Sequence, residues 1–309
     1  MGSSARLIVQ EYKSRITDKQ FAIRRREEGV MSHTSLLALL YNKGALVYSD
    51  LQATAYERHR ASSRETKVYS ISDDGIVLAG TGAISGIKYV AEKARILLQV
   101  WKSRNDGRLV PPQEAGDLIS GIVDSNPGLD SAFLMGGYDH DRDRPLIASI
   151  DDGCIMQSNL FESLGSGSLY VYPRGEVLSR KVLSRLPQEK RERVVVSQDI
   201  YDALDQLEFP LETALPLGLD AIASGPQCDV FSGGEGFQVM RVDRGGVAEY
   251  ILSKENAQKA LAILHAQEYA AVLPRKKGEK QKGKKQKVEK DALPGLEGLM
   301  EIFEKCRRR

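Results

Sequence analysis

The chain has 309 residues, of which 41% are hydrophobic and 28% are charged, and this composition excludes a fibrous protein and a chain that is disordered throughout. The net charge of +2 is unevenly spread: residues 1–33 hold 7 basic and 4 acidic side chains and residues 275–309 hold 13 and 6, which leaves the segment 34–274 at −8. With no apolar run of ~18 residues, no secretory signal and three scattered cysteines, we expect a cytoplasmic protein without membrane contact, metal or cofactor.

The first predicted elements are two β-hairpins. Residues 1–33 show no sustained hydrophobic period, and we interpret them as an arm or propeptide outside the main fold. Two apolar runs within residues 35–49, separated by Asn42, Lys43 and Gly44, predict the first hairpin. Residues 67–79, broken by a Ser-Asp-Asp-Gly turn, predict the second. Two successive hairpins indicate an antiparallel sheet.

Helices follow the hairpins. From Ala83 to Trp101 apolar residues recur at steps of three and four, which predicts an amphipathic helix. A second helix is predicted after Pro111 and Pro112. Further strands are predicted at residues 132–136, at 146–150, from 154 onward and at 237–242. Strands grouped in blocks favour an α+β fold in which antiparallel sheets are layered with helices.

The C-terminal region, residues 274–309, differs from the rest of the chain. Residues 275–290 hold 9 basic and 2 acidic side chains, and we expect this Lys-rich stretch to be a disordered extension. It contains no aromatic residue for stacking on bases, so a nucleic-acid partner is disfavoured although the charge would permit one. Residues 293–303 predict a short amphipathic helix that could dock on a neighbouring subunit.

Five sequence pieces, in order between residues 34 and 245, resemble the β-type subunits of the proteasome core particle, a family of N-terminal-nucleophile hydrolases. They are TSLLALLYNKGALVYSDLQAT, KVYSIS, LAGTG, ESLGSGSLYVY and CDVFSGG. The resemblance implies a four-layer αββα sandwich for residues 34–273, in which two antiparallel sheets lie between pairs of helices. It also implies a homo-oligomeric β ring, stacked with α-type subunits and supplied with unfolded polypeptides by an ATP-driven unfoldase.

The resemblance assigns roles to individual residues. Thr34 is the expected nucleophile, Asp50 and Lys67 are its charged partners, and the backbone N–H of Gly80 is the expected oxyanion donor. The residues expected to orient the reacting amine are Ser166, Asp229 and Ser232. The residues expected to contact substrate are Thr54, Glu65, Leu78 and Gly80. Leu78 is expected to form the floor of an apolar pocket, and Glu65, at the rim of that pocket, could instead attract a basic residue.

The chemistry of Thr34 can be argued separately. A threonine hydroxyl is a weak nucleophile and needs a base to remove its proton. If the chain begins at Thr34, its free α-amine, with a reference pKa of about 7.7 to 8.0, can act as that base. The positive charge of Lys67 would lower the pKa of the amine, and Asp50 would hold Lys67 in place.

Maturation is the step at which the sequence departs from the family pattern. His33 precedes Thr34, whereas family members that process themselves usually present glycine there, which tolerates the tight geometry of self-cleavage. The sequence therefore favours a threonine endopeptidase that is active once the bond between His33 and Thr34 is cut. The alternatives are a catalytically silent, unprocessed β-type subunit, and an amidase or transpeptidase on the same scaffold.

Overall fold

The computed structural model describes residues 30–32, 34–55, 60–62, 64–129, 131–151, 154–157, 160–183, 209–228, 234–272 and 296–308. Within these ranges the strands are β1 (Val30–Ser32), β2 (Leu36–Tyr41), β3 (Gly44–Asp50), β4 (Ala53–Ala55), β5 (Arg60–Ser62), β6 (Val68–Ser72), β7 (Ile76–Ala83), β8 (Ser131–Asp139), β9 (Arg144–Asp151), β10 (Cys154–Gln157), β11 (Phe161–Leu164), β12 (Gly236–Asp243) and β13 (Gly246–Ser253). The helices are α1 (Ile84–Arg104), α2 (Pro112–Asp124), α3 (Ser168–Leu183), α4 (Leu211–Cys228), α5 (Lys254–Val272) and α6 (Leu296–Lys305).

The strands form two antiparallel sheets. The first runs in the order β10-β9-β8-β7-β1-β4-β5, and β6 also pairs with β7. The second runs in the order β11-β2-β3-β12-β13. The α+β fold with antiparallel sheets that the sequence predicts is therefore confirmed.

Both predicted hairpins are present, and their turns follow the local sequence. Strands β2 and β3 pair up to Tyr41 opposite Gly44, so Asn42 and Lys43 alone form the turn. In the second hairpin Gly75 has a φ of +88°, a conformation that glycine adopts without steric cost. The predicted helices α1 and α2 begin one residue after Ala83 and at Pro112.

The elements stack in four layers. Helices α1 and α2 pack on the outer face of the first sheet, and α3 to α6 cover the second. The two sheets meet directly, since a Cβ placed on Gly136 of β8 would lie 2.8 Å from Val47 Cγ2 of β3. Strand β2 is buried at every position because a sheet covers one face and helices cover the other, which explains its uninterrupted apolar sequence.

The structure describes a short segment near each end of the chain, and the expected domain boundaries stay a prediction. Residues 30–32, assigned to an arm outside the fold, form β1 inside the first sheet, between β4 and β7. The predicted terminal helix exists as α6, but it packs on its own chain, where Leu299 and Phe303 are fully buried. The Lys-rich stretch 275–290 lies outside the described residues. In the described part of the chain, no helix is long and apolar enough to cross a membrane.

Candidate active site

The register of the first hairpin brings Thr34 next to Asp50. Ser49 lies opposite Leu36, and the backbone N–H of Asp50 donates to Ser35 O at 3.3 Å. The Thr34 hydroxyl then reaches the Asp50 carboxylate and donates to its Oδ1 atom. The N–H of Ser35 donates to the same oxygen at 3.1 Å, so the carboxylate is held at the start of β2.

Lys67 completes this cluster from the other sheet. It immediately precedes β6, and its ammonium group donates to Thr34 Oγ1 and lies 2.8 Å from Asp50 Oδ1. Thr34 and Asp50 are 0% exposed and Lys67 is 1% exposed. Because burying an unpaired charge is very costly, the lysine and the aspartate must stay together in this interior. The hydroxyl of Thr34 thus lies between a cation and a carboxylate.

The Gly-Ser-Gly turn before α3 packs on the backbone of Thr34. Gly167 N–H donates to Thr34 O at 3.3 Å. Gly165 has a φ of +94°, and a Cβ at this position would lie 2.0 Å from Thr34 O. Gly165 is therefore required by the site, a role that sequence reasoning did not assign to it. Ser166, one of the predicted amine-orienting residues, lies in this turn between the two glycines.

The structure changes the interpretation of Gly80. Its backbone N–H, the expected oxyanion donor, already donates to Lys67 O at 3.1 Å in the β6–β7 ladder. A Cβ on Gly80 would lie 2.5 Å from Ile87 Cγ2 of α1. The glycine therefore permits close packing of α1 on β7, and its role as oxyanion donor stays a prediction.

Three further residues were expected to contact substrate, namely Leu78, Glu65 and Thr54. Leu78 is 1% exposed and packs in the core between the first sheet and its helices, so it exposes no pocket floor in this state of the chain. Glu65 is partly buried and forms an ion pair with Lys88 of α1 at 2.8 Å, which offsets the charge that was expected to attract a basic residue. Thr54 lies in β4, opposite Met31 of β1.

Strand β1 covers the edges next to the cluster. Met31 pairs with Thr54 on one side and Ala83 on the other, and Ser32 pairs with Gly82. This three-residue segment ends two residues before Thr34. Residues 30–32 therefore occupy the space between β4 and β7 as an added antiparallel strand.

The segment that leads into Lys67 is fixed by a tyrosine. The hydroxyl of Tyr69 donates to Thr66 O at 2.7 Å. Burial, with a smaller contribution from the carboxylate of Glu65, raises the pKa of Tyr69 well above its ordinary value, so the hydroxyl keeps its proton and its hydrogen bond. The remaining predicted site residues, His33, Asp229 and Ser232, lie outside the described residues.

The chain is similar to proteins of one family. A protein-family model described as "Proteasome subunit" matches residues 31–194, slightly more than half of the chain. "Proteasome subunit beta" of Methanocaldococcus vulcanius is 25% identical over 235 residues, which cover 75% of this chain and 90% of that protein.

Two eukaryotic proteins show similar levels of identity. "Probable proteasome subunit beta type-1" of Encephalitozoon cuniculi is 26% identical over 159 residues, 51% of this chain and 74% of that protein. "Proteasome subunit beta type-6-A like protein" of Salmo salar is 23% identical over 145 residues, 47% of this chain and 66% of that protein.

Proposed function

Because the chain belongs to the proteasome subunit family and is a β-type subunit, we propose that it is a threonine endopeptidase that hydrolyses unfolded polypeptides in the cytoplasm. The observation that carries this proposal is the buried cluster in which the Thr34 hydroxyl contacts both Asp50 and Lys67. The activity requires removal of residues 1–33, because only then does Thr34 carry a free α-amine.

The proposed reaction uses the nucleophile's own terminus as its base. The neutral α-amine of Thr34 takes the proton from Oγ1, and Oγ1 attacks the carbonyl carbon of the scissile peptide bond. The ammonium group of Lys67, fixed by Asp50 at 2.8 Å, stabilises the negative charge that develops on Oγ1. The amine then returns its proton to the leaving nitrogen, and water hydrolyses the remaining ester.

The auxiliary groups have narrower roles in this scheme. Ser166, Asp229 and Ser232 orient the α-amine, as the family resemblance implies. The N–H of Gly80 serves as oxyanion donor only if its bond to Lys67 O is shared or opened when substrate binds. Leu78 acts on specificity only if it leaves the core packing described above, and Glu65 only if it gives up its ion pair with Lys88.

Strand β1 supports a binding mode for the substrate. When residues 30–32 leave, β4 and β7 lose the backbone pairs that now involve Thr54, Gly82 and Ala83. An extended polypeptide can replace the lost strand through main-chain hydrogen bonds, which require no particular sequence. This mode suits an enzyme that accepts many unfolded substrates.

Helix α3 supports assembly into a larger particle. Four of its large apolar side chains are exposed, namely Leu169, Tyr170, Tyr172 and Val177. Exposed apolar clusters of this kind commonly mark protein interfaces. We propose that this surface contacts other copies in a closed β ring, which stacks on α-type subunits and receives chains from an ATP-driven unfoldase.

One observation favours a second candidate, an unprocessed structural subunit. β1 is integrated into the first sheet while Thr34 is 0% exposed. If His33 prevents cleavage, the arm stays in place and the subunit is silent.

The mass of the purified chain and its peptidase activity separate the two candidates. A chain shortened by 33 residues that cleaves fluorogenic peptides, with the activity lost in Thr34→Ala and retained in Thr213→Ala, supports the enzyme. An intact chain with no activity supports the structural subunit. An intact chain that cleaves peptides contradicts the proposed mechanism, because its Thr34 has no free amine.

A further inference from the structure

Gln238 of β12 links the second sheet to the backbone of Lys67. Its side chain is 0% exposed, and its Oε1 atom accepts from the N–H of Lys67 at 3.2 Å and from the N–H of Val68 at 3.1 Å. Its Nε2 atom donates to Val68 O at 2.9 Å. In the described part of the chain β6 pairs with β7 alone, so Gln238 supplies partners for backbone groups at the start of β6.

Glu249 of β13 fixes the orientation of this amide. Gln238 Nε2 also donates to Glu249 Oε1 at 2.8 Å. Glu249 lies opposite Met240, which places it diagonally from Gln238 on the same face of the sheet. The amide thus uses two donor and two acceptor positions. A flipped amide would turn its NH₂ group towards two backbone N–H donors, so only one orientation is favourable.

The C-terminal segment, residues 306–308, contacts β13 through backbone and side-chain groups around Glu249. The backbone N–H of Arg308 donates to Glu249 O at 2.9 Å, and Arg308 Nη1 lies 3.6 Å from Glu249 Oε1. Ile251 N–H donates to Cys306 O at 3.1 Å. A continuous path of polar contacts therefore runs from Arg308 through Glu249 and Gln238 to Lys67.

We propose that Gln238 is a positioning residue for Lys67, and that Glu249 and the C-terminal Arg308 hold Gln238 in the required orientation. The inference rests on the proposed function, because it gives Lys67 a catalytic task. Lys67 Nζ must remain in contact with both Thr34 Oγ1 and Asp50 Oδ1, and the backbone from which it extends is held by Gln238. Docking of the C-terminal segment thereby contributes to the geometry of a site on the other sheet.

The first test replaces the amide by a side chain of similar size without hydrogen-bonding groups. In the processed full assembly, Gln238→Met is expected to lower kcat by roughly ten- to a hundredfold, the order that a 1 Å misplacement costs. KM should change by less than about twofold, because the described hydrogen bonds of Gln238 go to Lys67, Val68 and Glu249 and not to β4 or β7. Hydrogen exchange at the amides of Lys67 and Val68 should accelerate at least about tenfold.

Met240→Leu is the matched control, since it alters a buried side chain on the same face of β12 and leaves the amide of Gln238 in place, and it should leave kcat and exchange unchanged. If Gln238→Met does not fold, the milder Glu249→Gln variant is measured in the same way, with a smaller change of the same sign expected. Faster exchange with unchanged kcat overturns the positioning role, and so does unchanged exchange.

Hydrogen exchange also distinguishes a failure of the Gln238 proposal from a failure of the proposed function. A wild-type chain that never hydrolyses peptides refutes the endopeptidase, whereas the exchange rates of Lys67 and Val68 still show whether Gln238 holds that backbone.

The second test addresses the C-terminal part of the path. Arg308→Glu places a carboxylate next to Glu249 and should lower kcat about two- to fivefold, the range expected for an exposed ion pair. The matched variant Arg307→Glu changes the neighbouring arginine, whose guanidinium lies 3.6 Å from Glu304 on α6 instead, and it should not lower kcat. Equal kcat values for the two variants overturn the role of Arg308.

Discussion

The two ends of the chain both add a segment to a sheet, but they are held in different ways. Strand β1 lies inside the first sheet, where it pairs through its backbone with β4 and β7 and also lies against α1. The C-terminal segment bridges to β13 at Tyr250 and Arg307, and it is also anchored by α6, which buries Leu299 and Phe303 completely. The N-terminal segment has to leave before Thr34 can carry a free amine, whereas a C-terminal segment that buries large apolar side chains cannot leave without opening the core.

The largest effect is expected at the N-terminal end. A variant that begins at Thr34 should be more active towards fluorogenic peptides than a variant that begins at Ser32 and retains His33. The expected difference is roughly 10²- to 10⁴-fold, the range that a general base contributes, because only the first variant has a free α-amine on Thr34.

The control for this comparison is Thr34→Ala in the variant that begins at residue 34. It keeps a free amine but removes the hydroxyl, and it should be as inactive as the blocked chain. Equal activity of the blocked and unblocked chains would mean that the α-amine of Thr34 is not the base.

At the C-terminal end, Phe303→Ala should cost about 3 to 5 kcal/mol of the free energy of unfolding, as expected when a buried phenylalanine is truncated and leaves a cavity. Phe303 is fully buried and meets the ring of Tyr250 edge-on, with centroids 6.1 Å apart. Urea denaturation measures the change. Glu301→Ala, an exposed position on the same helix, should stay within about 0.5 kcal/mol; similar losses in the two variants would show that α6 is not an anchor.

The contact between the Gly165 turn and Thr34 can be tested against a second glycine. Gly165→Ala combines an unfavourable positive φ with a steric clash against Thr34 O, and we expect it to lose about 3 kcal/mol of stability. Gly107 also has a positive φ, +75°, but nothing lies within 4 Å of a Cβ placed there. Gly107→Ala should therefore lose only the conformational part, about 1 to 2 kcal/mol. Equal thermal shifts for the two variants would contradict the close packing at Thr34.

Local sequence patterns were sufficient to predict one hairpin and two helices of the fold. The hairpin of β2 and β3 and the helices α1 and α2 follow from turn residues and hydrophobic period. The position of α6 on its own chain did not follow, because an amphipathic face specifies burial but not the surface that covers it. Strand β1 was missed for a related reason, since three residues show no period and its partners are distant in sequence.

The sequence predicted some residues of the candidate site and missed the role of others. Thr34, Asp50 and Lys67 came from the family resemblance, and the structure brings them together. The existing bond of the Gly80 N–H depends on the β6–β7 register, which spacing alone does not reveal. Gln238 had a weak signal, a single uncharged polar residue within the apolar run of β12, but its partners on β6 and β13 are tertiary neighbours that the sequence does not identify.

The smallest stability effect is expected from breaking β1. Met31→Pro removes a backbone N–H from a strand that lies between two neighbours, where proline is poorly tolerated. The substitution removes one backbone hydrogen bond from a strand of three residues, and one such bond contributes about 1 kcal/mol to global stability. Amide exchange at the paired edge of β7, residues 82 and 83, should nevertheless accelerate, while Met31→Ala, which keeps the N–H, should preserve protection. A loss of stability as large as that of Phe303→Ala would mean that the arm is an integral part of the core and that the two ends are held alike.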